Sequence, residues 1–214
     1  MCSKDDKTTK KSKGLLYYLK MLPEALIQEF MEWMENRINS RSTKNIVIAI
    51  DGENVESTLK NLDLRTSTKP DWRALKELCL QVGRERSTAG QGEIISARFF
   101  TPDKMISPNR DDIYRNGIEI CFSPAGKEGK DMNRSDHEMI DSTRRLIEIA
   151  KRVDILFIVS DDGDFLRLAN FARDRGIQVI IVSVKNPNNE LDEAGLEIIQ
   201  LPTIKKTNDA FAFV

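Results

Sequence analysis

Three carboxylates lie within four residues in the segment Ile155–Phe165, whose sequence is ILFIVSDDGDF. Asp161, Asp162 and Asp164 follow closely on an uninterrupted run of five apolar residues. One carboxylate could cap a following helix, and Asp161 or Asp162 is suited to that role. Three carboxylates exceed what capping needs, and their mutual repulsion would be relieved by a bound cation. The segment therefore predicts a metal site, with a heavily capped turn as the alternative.

The elements around this segment place its carboxylates at the edge of a sheet. The apolar run Ile155–Val159 is typical of a strand that is buried on both faces of a parallel sheet. Phe165–Arg175 has helical spacing of its apolar residues and stops at Gly176, a favourable residue just beyond a helix. Ligands of open α/β sheets bind at the carboxyl ends of the strands, which is where the acidic cluster lies.

A helix predicted over Ser135–Lys151 supplies another carboxylate. Ser135 and Glu138 have the spacing of a capping box, which predicts that the helix opens there. At 100° per residue, Asp136 falls in the middle of the apolar stripe of this helix, whereas Asp141 points to the opposite side. A carboxylate on a buried face needs a partner, so Asp136 is predicted to bind a cation or helix N–H groups, and Asp141 to be solvated.

A further carboxylate, Asp51, ends the apolar run Ile46–Ile50, which predicts a second buried strand. Because the carboxyl ends of parallel strands lie at one edge of the sheet, Asp51 and Asp162 can converge. We therefore expect Asp51, Asp136 and Asp162 to share one cation, with Asp164 at its margin.

The remaining segments complete an α/β domain. Pro70-Asp71 and Ser107-Pro108 each open a helix, and further strands are predicted at Glu93–Phe100, Ile118–Phe122 and Ile177–Val184, with Leu191–Leu201 closing the domain. Strands that alternate with helices predict a mostly parallel sheet with helices on both faces. The uniformly apolar Ile46–Ile50 and Ile155–Val159 are expected to be central neighbours in that sheet.

Composition divides the chain into three parts: residues 1–44, a basic tail and helical arm; residues 45–204, the α/β domain; and residues 205–214, a C-terminal tail. The arm is predicted as a helix over Pro23–Ile38, with an apolar stripe formed by Leu26, Phe30, Trp33 and Met34. A stripe of this kind is rarely left in water, so it would dock on its own domain or form a homo-oligomer with a second copy.

Composition also excludes several classes of protein. The net charge of -1 argues against a protein that binds nucleic acid through a basic surface all around it. Aromatic residues make up 7% of the chain and show no spacing that would stack nucleic-acid bases. Three cysteines without a CxxC pair indicate reduced thiols and a cytoplasmic protein. No apolar run approaches 18 residues, so a membrane protein is not expected. The only histidine, His137, is expected to be inert, which excludes a Ser-His-Asp triad and a tetrahedral zinc site.

These motifs together resemble the NYN domains, which are PIN-like metal-dependent ribonucleases. The match covers Asn45–Leu201 and rests on four features. Asp51-Gly52-Glu53-Asn54 matches the family's D-G-x-N, and Ser160-Asp161-Asp162-Gly163-Asp164-Phe165 matches its S-G-D-S-D-F. Asp136 opens the intervening helix, and Leu191–Leu201 resembles the closing segment L-x-x-A-D-E-F-I-x-L. Asp161 replaces a glycine, Gly163 replaces a serine, and K-G-V-D is loosened to Lys130…Asp136. The extra carboxylate of Asp161 leaves open which of its neighbours bind metal.

The resemblance implies a PIN-like, Rossmannoid domain that hydrolyses RNA phosphodiester bonds with one or two Mg²⁺ or Mn²⁺ ions. Hard divalent cations prefer carboxylate oxygens and can activate water for attack on phosphorus. The predicted catalytic and metal-binding residues are Asp51, Asp136, Asp162 and Asp164. Residues expected to orient these carboxylates or the phosphate are Asn54 and Ser160, whose alternative role is hydrogen bonding in a turn or cap.

The partner implied by the resemblance is RNA. The candidates to hold its backbone are Lys127, Lys130 and Arg134, and the alternative is that their loop is only solvated. The alternative function is a non-catalytic RNA-binding or scaffold module that retains the same fold. The presence of all four aspartates favours the enzyme over this alternative.

Overall fold

A computed structural model describes residues 28, 43–61, 70–102, 110–123, 134–185 and 187–201. The chain divides into two compact units, Met1–Ser42 and Thr43–Val214. The described residues other than Gln28 all belong to the second unit. Apart from Gln28, the predicted arm and both predicted tails lie outside the described residues, so the proposed domain boundaries and the homo-oligomer stay predictions. Among the described helices, none is long and apolar enough to cross a lipid bilayer.

Strands and helices alternate through the described part of the second unit. In its first half, the elements are β1 (Lys44–Asp51), α1 (Gly52–Asn61), α2 (Trp72–Glu85), β2 (Gly92–Pro102), α3 (Arg110–Arg115) and β3 (Glu119–Ser123). In its second half, they are α4 (Arg134–Ile149), β4 (Ile155–Val159), a 3₁₀ helix (Gly163–Phe165), α5 (Leu166–Arg173), β5 (Gln178–Ser183), α6 (Asn189–Glu193) and β6 (Glu197–Gln200).

The six strands form one parallel sheet in the order β3-β2-β1-β4-β5-β6. Strands β1 and β4 are central neighbours, in a register that pairs Ile46 with Ile155 and Ile50 with Val159. The sequence-based prediction of a parallel sheet around these two strands is confirmed. The chain order reverses between them, which makes their carboxyl ends the switch point where α/β sheets bind ligands.

Helices cover both faces of the sheet, as predicted, and give the domain two apolar cores. On one face, Ile46, Ile48 and Ile50 of β1 pack with residues of α2 that include Trp72 and Leu75. On the other face, Val47 and Ala49 pack with residues of α4 and α5, including Met139, Ile140, Leu168 and Ala169. Because side chains alternate along a strand, one apolar run supplies both cores. The second core fixes α4 and α5 beside the carboxyl ends of β1 and β4.

Three details differ from the sequence-based interpretation. Helix α1 begins directly after Asp51, where no helix was predicted, and the closing segment contains a sixth strand, β6. The capping-box prediction for Ser135 is wrong, because α4 begins at Arg134 and Ser135 lies within its first turn. The Ser135 hydroxyl instead donates to Glu53 Oε2 at 3.3 Å. A contact with a residue 82 positions away competes with the local cap, and local spacing does not reveal it.

The start of α1 depends on a residue without a side chain. A Cβ atom on Gly52 would lie 2.4 Å from the Phe99 ring and 2.6 Å from the carbonyl oxygen of Phe100. Gly52→Ala is therefore expected to lower the free energy of unfolding by about 1–3 kcal/mol, because a packed ring and a backbone atom must move. Chemical denaturation measures this loss. Gly92→Ala is the matched control, since its nearest neighbours lie at 3.3–3.4 Å, and an equal loss in both variants would contradict the packing argument.

Candidate metal centre

The carboxyl ends of β1 and β4 bring Asp51 and Ser160 together. Both residues are buried, and the Ser160 hydroxyl donates a hydrogen bond of 2.8 Å to Asp51 Oδ2. The other carboxylate oxygen, Oδ1, accepts the backbone N–H of Asn54 in the first turn of α1 at 3.1 Å. Asp51 is thus held in one orientation by the two polar residues that the sequence places next to the acidic motifs.

Burial makes the ionised form of Asp51 costly. It raises the pKa of Asp51 to about 6 from an ordinary value of 3.8. The hydrogen bonds from Asn54 and Ser160 act in the opposite direction, whereas the charges of Asp162 and Glu53 raise the pKa further. A carboxylate that is buried and surrounded by like charges is a common feature of functional sites.

Three other carboxylates converge beside Asp51 and form a group that we call the carboxylate triad: Asp136, Asp162 and Asp164. Each offers one carboxylate oxygen, and these oxygens lie within 4.8 Å of one another. Oxygen ligands of Mg²⁺ or Ca²⁺ lie at about 2.0–2.6 Å from the ion, so oxygens this far apart can share one cation. Asp162 also caps the 3₁₀ helix, since its Oδ1 accepts the backbone N–H of Asp164 at 2.9 Å.

The pKa of Asp136 is raised further than that of Asp51. Its pKa is raised to about 7, first by burial and then by the charges of Asp51, Asp162, Glu53 and Asp164. These negative charges are close enough to disfavour ionisation at neutral pH, and a divalent cation would reverse that balance. The donor set is all oxygen, which suits Mg²⁺ or Mn²⁺ and does not resemble a structural zinc site.

The structure brings some of the predicted site residues together in the triad and leaves others outside it. Asp136 is half-buried and belongs to the triad, whereas Asp141 on the same helix is exposed. The sequence placed Asp51 in the cation-binding group and Asp164 at its margin, while the geometric group contains Asp164 and has Asp51 as a neighbour. The metal ligand set itself stays a prediction. Lys127 and Lys130 lie outside the described residues, as does the side chain of Arg134.

Asp161, the extra carboxylate of the motif, has a structural role. Its Oδ1 accepts the backbone N–H of Val184 at 3.2 Å, and its Oδ2 accepts that of Lys185 at 2.9 Å. Its own N–H donates to Asn54 Oδ1 at 3.3 Å. Asp161 therefore ties together the segments that follow β1, β4 and β5, and its carboxylate is not part of the triad.

Asp161→Asn is expected to destabilise the fold, because the amide NH₂ cannot accept the hydrogen bond that one carboxylate oxygen now accepts. Leaving one backbone N–H without its partner should cost about 1–3 kcal/mol of unfolding free energy. Thermal or chemical denaturation without added metal measures the effect. Asp164→Asn is the control, since it removes a carboxylate from the triad three residues after Asp161. Equal stability of Asp161→Asn and the unmodified protein would contradict the structural role of Asp161.

Glu53 is a site residue that the sequence analysis missed. It is half-buried in the first turn of α1, accepts the hydroxyl of Ser135, and raises the pKa of both Asp51 and Asp136. The available signal was its place in the motif Asp51-Gly52-Glu53-Asn54, two residues after the aspartate that ends the strand. Glu53 adds a fifth carboxylate to the negative surroundings of the site.

A six-stranded parallel sheet, with helices on both faces and clustered carboxylates at its switch point, defines a PIN-like α/β protein. The family model of the NYN domain matches residues 45–201 of this chain. The chain therefore belongs to the NYN domain family, a nuclease-like family, as the motifs predicted.

Comparison with solved structures supports the fold alone. The chain is similar to a protein of unknown function from Vibrio parahaemolyticus, whose crystal structure aligns with a TM-score of 0.56 and 18% sequence identity. The alignment covers 79% of this chain and 97% of that chain. A comparison with curated protein sequences gives no match.

Proposed function

We propose that this protein is a metal-dependent ribonuclease that hydrolyses phosphodiester bonds of RNA. The observation that carries the proposal is the carboxylate triad, whose oxygens lie within 4.8 Å of one another at the switch point of the sheet. The raised pKa of Asp136, about 7, supports it, because carboxylates crowded to this degree favour a bound cation. Membership of a nuclease-like family is consistent with this chemistry.

In this proposal Asp136, Asp162 and Asp164 hold Mg²⁺ or Mn²⁺. When bound, the ion would lower the pKa of a water molecule and offset the charge that develops on the phosphate. Asp51 adds to the negative surroundings, in an orientation fixed by the Ser160 hydroxyl and the Asn54 N–H. Asp136 lies on α4 and Asp164 in the 3₁₀ helix, and Asp162 caps that helix in the short connection after β4.

RNA is the proposed substrate, and Lys127, Lys130 and Arg134 remain the candidates to contact its backbone. These residues precede or begin the helix that carries Asp136. Basic side chains in such a position would attract phosphates toward an otherwise negative site. The reaction is proposed to take place in the cytoplasm.

The test uses the full chain and a labelled single-stranded RNA, incubated with Mg²⁺, with Mn²⁺, or with EDTA. We expect cleavage with either metal, none in EDTA, and recovery when the metal is added in excess of the chelator. Intact RNA under every metal condition would overturn the proposal. If such RNA were nevertheless bound, the alternative of a non-catalytic RNA-binding module would take its place.

A further inference from the structure

An arginine and the only histidine of the chain meet between the helix that carries Asp136 and the helix that follows Asp164. Arg167 lies on α5, three residues after Asp164, and His137 directly follows Asp136 on α4. The Arg167 Nη2 and His137 Nδ1 atoms are 2.9 Å apart, and both side chains are exposed. The contact joins the two helices that carry or follow the triad carboxylates.

The chemistry of this contact fixes the role of each group. A guanidinium has N–H donors and no acceptor, so Arg167 donates and His137 Nδ1 accepts. A ring whose Nδ1 accepts carries its proton on Nε2, and therefore presents an N–H donor on its other side. The remaining N–H groups of Arg167 are donors as well. The pair thus offers a positive charge and several N–H donors, a combination that suits phosphate oxygens.

The negative charge of the site would repel an RNA phosphate unless a positively charged group lies nearby. The triad, Asp51 and Glu53 together place five carboxylates at one edge of the sheet, and an RNA phosphate adds further negative charge. One divalent cation offsets only part of this charge, so the protein must supply positive charge where the RNA strand enters.

Other arginines on these two helices, or just after α5, have different partners. The guanidinium groups of Arg144 and Arg175 lie over the Phe171 ring, at 4.4 Å and 3.6 Å from its centroid. Arg173 donates to the carbonyl oxygen of Ala194 at 3.1 Å. Within the described part of α4 and α5, Arg167 is thus the arginine that hydrogen bonds to a neighbour of a triad residue.

We propose that Arg167 and His137 form a phosphate-binding pair that holds a backbone phosphate of the RNA strand beside the metal centre. Arg167 supplies the charge and the forked donors, and His137 holds the guanidinium in place while donating from Nε2. The inference rests on the proposed function for the identity of the ligand, RNA. It assigns a substrate contact to a histidine that the sequence alone indicated to be inert.

The test measures RNA binding separately from cleavage. Each variant is made in the full chain carrying Asp162→Asn, which is designed to keep the RNA intact, and titrated with labelled oligouridylate in Mg²⁺ by fluorescence anisotropy. Arg167→Ala is expected to raise Kd about 10-fold or more, because a charge-assisted contact is lost. The slope of log Kd against log salt should fall by about 0.7, the contribution of one phosphate on a single strand.

Matched variants separate the pair from general electrostatics. Arg145→Ala removes the same charge from an exposed position nine residues after Asp136, on the opposite side of α4, and should change Kd by less than about twofold. His137→Gln should largely keep the affinity, because its amide can accept from Arg167 and donate to phosphate. His137→Phe should move Kd toward that of Arg167→Ala, because phenylalanine provides neither group.

Two results would overturn the inference. The first is an equal Kd for Arg167→Ala and Arg145→Ala in proteins of equal melting temperature. The second is a tighter affinity for Mn²⁺ with unchanged RNA affinity in Arg167→Ala, which would mean that Arg167 only offsets carboxylate charge. Cleavage by the unmodified protein distinguishes the two proposals. If the unmodified protein cleaves RNA, either of these two results refutes the pair alone. Binding through Arg167 without any cleavage refutes the ribonuclease and keeps the pair.

Discussion

Asp136→Asn is expected to abolish RNA cleavage, while Asp141→Asn on the same helix leaves it unchanged. Asp136 belongs to the carboxylate triad, and Asp141 is exposed on the other side of α4. Losing one ligand of a catalytic cation that contributes several kcal/mol should lower the rate about a thousandfold. Initial rates of cleavage of a labelled RNA in Mg²⁺ and Mn²⁺ measure the difference between the two variants.

The same substitution should not damage the fold. Asparagine is nearly isosteric with aspartate, and burial and neighbouring charges already disfavour the ionised form of Asp136. Without metal at pH 8, Asp136→Asn should therefore melt at the same temperature as the unmodified protein or higher. RNA affinity should be equal or slightly stronger, because negative charge near the phosphates is reduced. Full activity of Asp136→Asn, or equal losses in both variants, would exclude Asp136 from the reaction.

Metal binding is expected to stabilise the protein, and more strongly at pH 8 than at pH 5. At a free concentration of 100 times Kd, a bound ion adds about 2.7 kcal/mol to the unfolding free energy. For a chain of this size that corresponds to roughly 5–10 °C in melting temperature. The difference between pH values arises because carboxylates must lose their protons before they bind metal. Differential scanning fluorimetry with Mn²⁺ or EDTA at the two pH values measures it.

Without metal, the protein itself should be more stable at acid pH, with a higher melting temperature at pH 5 than at pH 8. The pKa values of Asp51 and Asp136 are raised from 3.8 to about 6 and about 7. Between about pH 4 and pH 7 the folded state thus binds more protons than the unfolded state, and stability falls as the pH rises through this window. Asp136→Asn is the control, because it should reduce both this decline and the metal effect. A metal-free protein that is no less stable at pH 8 would contradict the charge crowding.

The two aspartates that are adjacent in the sequence, Asp161 and Asp162, show why residue type alone does not assign a role. Asp162 contributes an oxygen to the triad, whereas Asp161 accepts two backbone N–H groups from the segment that follows β5. Both roles require a carboxylate at the end of β4. The partners of Asp161 lie 23 and 24 residues further along the chain. At that separation, sequence spacing does not predict which groups come into contact.

The sequence by itself determined the features that follow from periodicity. The apolar runs fixed β1 and β4 as central strands, since only strands covered on both faces can be apolar throughout. The 100° rotation per residue turned Asp136 toward the core and Asp141 toward solvent, as the structure has them. The motifs around Asp51 and Asp162 were sufficient to indicate the family that the comparison with family models shows.

Tertiary structure decided the partners of the polar side chains. The start of α1, the contact of Ser135 with Glu53, and the pairing of Arg167 with His137 each depend on residues that are brought together by packing. A polar side chain can hydrogen bond to any suitable group within reach. The periodicity of a helix or strand predicts which face the side chain occupies, but not which group of a neighbouring element lies opposite. The apolar pattern of this chain therefore specifies its layers, whereas the composition of the metal centre depends on how two helices and two strand ends meet.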